Sequence, residues 1–331
     1  MASYIARRKF LATLGGAAVA WPLAARAQQP TKLPTIGFFS AGSAAALGRW
    51  VAALVQRLRE LGWSEGRTVA IEYRWADGRD ERLSEIVAEF VQRRVDIIVT
   101  HSAAPVVAAK QATSTIPIVF ALGDDPVQLG FVASFNRPGG NITGISFETT
   151  DLAGKRAEIL RQLLPRAAAF GYLANANNIG SASEAHEVEN AGSALGQQIL
   201  IFRAASEADL DPAFKTIAER KIGALIVGSG AFFFGQRDRL TALAASHAIP
   251  AIYDLRDYVR AGGLISYGPD ITDVYREVGS YVSKILAGAN PVDLPVIEPT
   301  EFELVINLKS ARALGLVIPP TLLFRANELI E

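Results

Sequence analysis

Cysteine is absent from the 331-residue chain, and histidine occurs only three times. Without cysteine the protein has no disulfide, no thiolate metal site and no lipid-modified cysteine behind a leader sequence. The histidines His101, His186 and His247 are too few and too scattered for a histidine metal site, and none belongs to a His-Glu-x-x-His motif. The sequence therefore predicts a protein with no metal site and no cofactor.

The signatures of common enzymes are missing as well. The chain has no Gly-x-Ser-x-Gly elbow, no Ser-x-x-Lys pair and no Gly-x-x-x-x-Gly-Lys-Ser/Thr loop. The nearest approach to a dinucleotide loop, Gly228-Ser229-Gly230 with Gly235, has the wrong spacing. Bulky side chains at Phe232-Phe233-Phe234 also stand where a pyrophosphate needs close backbone approach. We therefore predict no catalytic residues and no enzymatic activity.

The chain begins with features of an export signal. Arg7-Arg8-Lys9 is followed by an apolar run and then by the small-x-small sequence Ala25-Arg26-Ala27. This order predicts a signal peptide over residues 1–27, and the paired arginines before Phe10 and Leu11 match the twin-arginine export pattern. A membrane anchor is the alternative, although the apolar run is shorter than the roughly 20 residues that span a bilayer. We predict a periplasmic protein with a cleaved leader.

Neither charge sign dominates, since the chain has 33 basic and 33 acidic residues. Cleavage after residue 27 would leave 29 basic and 33 acidic residues, which is not the basic surface of a nucleic-acid-binding protein. The remaining 304 residues exceed the size at which a single hydrophobic core usually stops growing. We therefore predict a soluble monomer with two domains and no nucleic-acid partner.

From Thr35 onward, short runs rich in Val, Ile and Phe alternate with longer amphipathic stretches. A first set of strands is predicted at 35–40, 69–75, 96–101, 116–121 and 141–147, with helices at 44–61 and 81–94. A second set is predicted at 168–174, 198–203, 223–228, 250–254 and 264–267, with helices near 151–164, 181–196, 208–221 and 233–247. A helix at 270–286 and a strand at 302–307 follow. This alternation is typical of parallel sheets with helices on both faces.

The two sets resemble two copies of one unit. Ile116-Pro117 and Ile249-Pro250 each precede a strand, and each is followed later by Gly-Gly and another strand. Duplication and coincidence are both compatible with these short matches, because such residues are ordinary turn signals. We predict two doubly wound α/β lobes joined by a multi-strand hinge with crossings near 147–151, 267–270 and 290–295. The predicted lobes cover 31–147 plus about 268–291, and 148–267 plus about 292–325.

Ligands of open parallel sheets bind beyond the carboxyl ends of the strands, where loops diverge and helix N-termini present free N–H groups. The loops at these positions carry small polar residues and a few aromatic ones. Such residues suit hydrogen bonding and stacking better than proton transfer. The candidate ligand-binding residues are Ser40, His101, Ser102, Gly123, Asp124, Asn175, Asn177, Ser229, Phe232 and Tyr253.

Several candidates have a second interpretation. Ser102 is also a suitable N-cap for the helix that follows it. Asp125, which precedes a proline, is interpreted as a cap, and Asp124 as either a partner for a ligand ammonium or a solvated loop acid. Asn175 and its neighbours suit either a turn or a polar ligand group. Phe232 is either a stacking surface or part of the apolar face of the next helix.

Longer matches carry a family resemblance. They are, in order, Asp96-Ile97-Ile98-Val99-Thr100, Ile116-Pro117-Ile118-Val119-Phe120, Gly123-Asp124 with Asp125-Pro126-Val127, Arg137-Pro138-Gly139-Gly140-Asn141-Ile142-Thr143-Gly144, and Asn307-Leu308-Lys309-Ser310-Ala311 with Leu314-Gly315. With these stretches the chain resembles the ABC-transporter substrate-binding proteins, whose better-known members take up tryptophan and other aromatic amino acids. The resemblance implies a type I periplasmic-binding fold, a small-molecule ligand such as an amino acid or aromatic compound between the lobes, and an inner-membrane permease as partner. A ligand-sensing domain and an exported α/β oxidoreductase are the alternatives.

Overall fold

Residues 32–147 and 152–331 are described by the computed structural model of the chain. The predicted signal peptide lies outside these residues, and so does most of the first predicted crossing, at 148–151. Within the part that the structure describes, no helix is both long and apolar enough to cross a membrane.

A five-stranded parallel sheet and its helices form the first lobe. The strands lie in the order β2-β1-β3-β4-β5. They are β1 (Thr35–Ser40), β2 (Ala70–Trp75), β3 (Ile97–His101), β4 (Ile118–Leu122) and β5 (Ile142–Ser146). The connecting helices are α1 (Ala44–Glu60), α2 (Arg82–Arg93) and α3 (Ala103–Ala112). All strands except β2 are buried along nearly their whole length, which explains their continuous runs of Val, Ile and Phe.

A seven-stranded sheet and its helices form the second lobe. Its order is β12-β11-β10-β9-β8-β6-β7, and its pairs are parallel except that β11 runs antiparallel to β10. The strands are β6 (Ala169–Asn175), β7 (Gln198–Ala204), β8 (Ala224–Val227), β9 (Ala251–Tyr253), β10 (Ile265–Gly268), β11 (Glu303–Asn307) and β12 (Glu328–Ile330). The helices are α4 (Leu152–Leu163), α5 (Ser181–Ala194), α6 (Glu207–Glu219), α7 (Ala231–Gly235), α8 (Arg237–Ser246), α9 (Arg256–Arg260), α11 (Leu308–Ala313) and α12 (Pro320–Arg325).

One long helix returns from the second lobe to the first. Helix α10 (Ile271–Leu286) packs against α1, where Arg57 Nε donates a hydrogen bond to Ser280 Oγ over 3.0 Å. A short 3₁₀ turn follows at Pro291–Asp293, and Ile297 then pairs with Ile145 beside β5. The segment that follows residue 292 therefore still contacts the first lobe. The predicted lobe boundary assigned this segment to the second lobe.

The predicted single helix at 233–247 is two helices. Helix α7 ends at Gly235, and α8 starts at Arg237 after a break at Gln236, which has φ −100° and ψ 15°. Phe234 on α7 stacks on Trp50 of the first lobe.

Candidate functional site

A cleft of about 380 Å³ lies between the two lobes. Its walls are the loops that follow β1 to β5 on one side and β6 to β9 on the other, so it lies at the carboxyl ends of the strands in both sheets. In the first sheet, β1 and β3 end level with each other, because their last residues, Ser40 and His101, are paired. The cleft is in the size range of small-molecule sites.

Eight of the ten candidate residues line this cleft. They are His101, Ser102, Gly123, Asp124, Asn175, Asn177, Ser229 and Phe232. The other two do not line it, and both predictions need correction. Ser40 is fully buried, with its Oγ accepting a hydrogen bond from the Gly42 N–H over 3.1 Å. Tyr253 is also fully buried and stacks on Tyr258, with ring centroids 4.7 Å apart.

Four rings form an aromatic layer in the cleft. Trp50 on α1 stacks on Phe234 on α7, with centroids 4.4 Å apart and an interplanar angle of 28°. The His101 ring lies 5.7 Å from Trp50 and stacks on Phe147, 6.0 Å away. All four residues line the cleft, and they come from both lobes. We call Trp50, His101, Phe147 and Phe234 the aromatic layer.

His101 acts in this layer as a flat neutral ring. Burial lowers the pKa of the imidazole to about 4, and Nδ1 is buried without a hydrogen-bond partner. The side chain is therefore uncharged near neutral pH. An uncharged imidazole stacks on apolar rings without the desolvation cost of an imidazolium.

Only part of the aromatic layer could be recognised from the sequence. Trp50 shares the buried face of α1 with Leu47 and Leu54, a pattern that looks like ordinary core packing. Of the three phenylalanines after residue 231, Phe233 is fully buried in the core, whereas Phe232 and Phe234 line the cleft. The cluster is therefore divided between the core and the lining of the cleft.

Acidic groups give the cleft its electrostatic character. Asp77, Asp80, Asp124 and Asp254 line it, and among the residues that the structure describes no lysine or arginine does. Asp124 is 8% exposed and Asp254 5% exposed, so Asp124 is not a solvated loop acid. Burial, reinforced by the negative charge of Glu184, raises the pKa of Asp124 to about 6. Burial also raises the pKa of Asp254 to about 7, with Glu184 acting in the same direction and Arg156 opposing it.

A buried ion pair lies behind the cleft wall. Arg156 Nη2 on α4 is 3.3 Å from Glu184 Oε1 on α5, and both side chains are at most 1% exposed. Glu184 Oε2 accepts hydrogen bonds from the N–H and the hydroxyl of Ser229, over 3.0 and 2.9 Å. Sequence reasoning missed this pair, because an acid in the first turn of a helix is common without any link to a ligand.

The lobes touch at two polar points beside the cleft. A Cβ atom built on Gly180, before α5, would lie 1.7 Å from Asp124 Oδ1, so the Asp124 carboxylate rests against the backbone of the opposite lobe. At the rim, Arg49 on α1 forms an ion pair with Asp257 on α9 over 3.2 Å. These contacts and the stacking of Trp50 on Phe234 define the closed arrangement of the lobes.

The remaining loop residues are held by short-range hydrogen bonds. Ser102 precedes α3 with φ 69°, and its hydroxyl donates to the His101 carbonyl instead of capping the helix. Asn175 Oδ1 accepts from the Asn177 N–H over 3.2 Å, which is the turn expected of asparagine at a position that also lines the cleft. Asp125 Oδ1 accepts from the Val127 N–H over 2.7 Å, so Asp125 caps a turn and not a helix.

The sequence of the chain is similar to those of known binding proteins. A family model described as "ABC transporter substrate binding protein" matches residues 41–330. A protein of Clostridioides difficile described as "Tyrosine-binding protein" is 25% identical over 263 residues, which is 79% of this chain and 75% of that protein.

Solved structures show the same architecture. A domain from Streptococcus pneumoniae, solved in complex with L-Trp, is 23% identical and superimposes with a TM-score of 0.84. A conserved domain protein from Vibrio cholerae is 26% identical, with a TM-score of 0.85. Each comparison covers 90% of this chain and all of the other. The predicted type I periplasmic-binding architecture of two α/β lobes is confirmed.

Proposed function

Since the chain belongs to the family of ABC transporter substrate-binding proteins, we propose that it binds a small molecule with an aromatic ring between its lobes and delivers it unchanged to an inner-membrane permease. Proteins of this family bind small molecules, act with a permease and generally work outside the cytoplasm; the family is not an enzyme family.

The aromatic layer is the observation that carries the ligand class. Aromatic side chains from both lobes line the cleft, and a ligand ring that packs against one of them would gain about 0.5–1.5 kcal/mol beyond the area it buries. A short aliphatic solute would lack a ring for such a contact. One relative is described as a tyrosine-binding protein and another was solved with L-Trp, which supports an aromatic amino acid or a related compound as the ligand.

A thermal-shift screen tests this function. A solute that binds only the folded protein increases the free energy of unfolding by RT ln(1 + [L]/Kd) and so raises the melting temperature. We expect aromatic amino acids and aromatic amines to raise it in a dose-dependent way, and aliphatic amino acids and hexoses to have less effect. Conversion of any screened compound into a product would contradict the proposal, and so would a shift produced only by non-aromatic solutes.

Two alanine variants test whether both lobes hold the ligand. Ser102 lines the cleft from the first lobe and Asn175 from the second. Loss of one hydrogen bond to a bound ligand typically weakens affinity by about 1–3 kcal/mol. Ser102→Ala and Asn175→Ala should therefore each weaken binding in titration calorimetry while circular dichroism stays unchanged. If only one of the two has an effect, the ligand is held by a single lobe.

The proposal extends to how the protein reaches its place of work. Arg7-Arg8 with Phe10 and Leu11, and the small-x-small site at 25–27, support export through the twin-arginine pathway followed by cleavage. The proposed mature protein is a monomeric periplasmic protein. Its lobes are proposed to hinge at the chain crossings, so that ligand exchange needs a bending motion.

A further inference from the structure

Two of the chain crossings between the lobes leave the second lobe side by side. The outgoing crossing, residues 269–270, connects β10 to α10, and the return crossing, residues 298–302, leads into β11. Gly268 and Glu303, the residues at which β10 ends and β11 begins, are paired in the antiparallel register. The two crossings are therefore extensions of one strand pair.

Close contacts hold this strand pair to the second lobe. A Cβ atom built on Gly268 would lie 1.9 Å from the Asp254 carbonyl oxygen, so the start of the outgoing crossing touches the backbone just before α9. The rings of Tyr267 and Phe302 lie beside each other, with centroids 6.3 Å apart. Phe302 is the last residue of the return crossing, so this contact links that crossing to β10.

One arginine joins both crossings to the second lobe. Arg256 Nη1 on α9 donates hydrogen bonds to Asp270 Oδ2 over 3.1 Å and to Glu303 Oε2 over 2.8 Å. Asp270 is the last residue of the outgoing crossing, and Glu303 directly follows the return crossing. Arg256 Nη2 donates to Glu328 on β12, which belongs to neither crossing. A guanidinium has a rigid fork of five donors, so it can hold several carboxylates at fixed positions.

Packing alone does not fix the crossings beyond this arginine. They border a second cavity of about 400 Å³, which is lined by the return crossing, the first two turns of α10 and Ile145 on β5. Side chains beside a cavity have fewer neighbours than those in a close-packed core and move more freely. We propose that Arg256 holds the two crossings to the second lobe as one unit, so that the lobes close along a single path. This role goes beyond the proposed function and does not depend on which ligand binds.

Removal of Arg256 should loosen both crossings. In Arg256→Gln, the loss of charged hydrogen bonds should speed amide hydrogen exchange at 266–268 and 303–305 by about tenfold or more. Arg260→Gln is the matched control, because it makes the same change on the same helix in a side chain that is 43% exposed and lies 3.8 Å from Glu328. It should speed exchange by less than about threefold, as expected for the loss of an exposed ion pair. Equal exchange in the two variants would overturn the inference.

Distances between the lobes separate a hinge role from a general stabilisation of the second lobe. The chain has no cysteine, so spin labels can be attached at Ala88→Cys on α2 and Ala194→Cys on α5, two exposed positions in different lobes. In the ligand-free protein, the distribution of distances between the labels should be broader in Arg256→Gln than in the parent. Arg260→Gln should keep the parent's distribution. A distribution in Arg256→Gln that is no broader than that of the parent would contradict the hinge role.

Three carboxylate variants decide the matter if Arg256→Gln does not fold. Asp270→Asn, Glu303→Gln and Glu328→Gln each neutralise one partner of Arg256 and leave it the other two. Asp270→Asn also preserves the N-cap of α10, because Asp270 Oδ1 accepts from the Thr272 N–H and asparagine caps a helix equally well. The distance distribution should broaden in Asp270→Asn and Glu303→Gln, which release the crossings, and not in Glu328→Gln. Broadening in Glu328→Gln, or its absence in either of the other two variants, would show that Arg256 does not hold the crossings as one unit.

Discussion

The indole of Trp50 lies on the ring of Phe234 with centroids 4.4 Å apart, although the two residues belong to different lobes. Both line the cleft, and both are almost fully buried. The pair therefore forms only when the lobes meet. The same two rings therefore stabilise the contact between the lobes and line the cleft in which a ligand would bind.

Phe234→Leu should weaken ligand binding without unfolding the protein. Leucine keeps most of the apolar volume but loses the stacking, which is worth about 0.5–1.5 kcal/mol and corresponds to roughly a two- to tenfold weaker affinity. Titration calorimetry with L-tryptophan measures the change. Phe324→Leu is the control, because Phe324 is 93% exposed and does not line the cleft. Equal affinity of the two variants would show that the stacking does not support binding.

Gly180→Ala should hold the lobes apart. The backbone of Gly180 has φ −76° and ψ −7°, which alanine adopts without strain, so the effect reports on the contact with Asp124. The added Cβ would lie 1.7 Å from Asp124 Oδ1 and 2.9 Å from its Cγ. We expect weaker binding and a larger radius of gyration in small-angle scattering.

Two controls accompany this variant. Gly140→Ala adds a Cβ with no atom within 4 Å, and it should behave like the parent protein. The double variant Gly180→Ala with Asp124→Ser shortens the side chain that the new methyl meets, so the radius of gyration should return toward that of the parent. Failure of this rescue would mean that Gly180 acts through some contact other than Asp124.

Arg156→Met should destabilise the second lobe strongly. It removes the cation that opposes the buried Glu184 and Asp254, and an uncompensated buried charge typically lowers the free energy of unfolding by about 3–5 kcal/mol. Part of the loss should be regained at pH 5, where Asp254, whose pKa is about 7, takes up a proton. Arg161→Met, on the same helix, breaks a hydrogen bond to Gln197 and should cost much less in urea unfolding. Equal losses at pH 5 and pH 8 would contradict this electrostatic explanation.

His101 should make the protein less stable in acid. Its pKa is about 4 in the folded protein and ordinarily 6.5, so between these values the unfolded chain binds more protons. This contribution to stability is therefore complete above pH 6.5 and is lost as the pH falls toward 4. In His101→Gln, the acid-induced loss of unfolding free energy should be smaller by about 1–3 kcal/mol. His186→Gln, at an exposed position, is the control and should keep the parent's pH profile.

Exported protein should begin near Gln28, as N-terminal sequencing of the periplasmic fraction would show. The predicted site is Ala25-Arg26-Ala27. Replacing Arg7-Arg8 by two lysines removes the paired arginines of the twin-arginine pattern while keeping the charge, so the precursor should accumulate in the cytoplasm. An intact leader on membrane-bound protein would favour an anchor instead.

The strands were readable from the sequence because burial on both faces of a parallel sheet demands unbroken apolar runs. For example, β3 was expected at 96–101 and lies at Ile97–His101, and β11 was expected at 302–307 and lies at Glu303–Asn307. The short helix α9 and the edge strand β12 were not predicted, since three to five residues carry little periodicity. The antiparallel direction of β11 was also not predicted, because direction depends on how the chain returns from α10 and not on which residues the strand contains.

By itself the sequence determined the alternation of strands and helices, and with it the edge of each sheet where polar loops gather. His101, Asp124, Asn175 and Ser229 were found in this way, because their position after a strand places them at that edge. Only the tertiary structure decided that Trp50 meets Phe234, and that Glu184 on one helix holds both Arg156 and a cleft serine. The physical reason is that local periodicity records which side of an element is buried, whereas the identity of the partner depends on the packing of segments far apart in the chain.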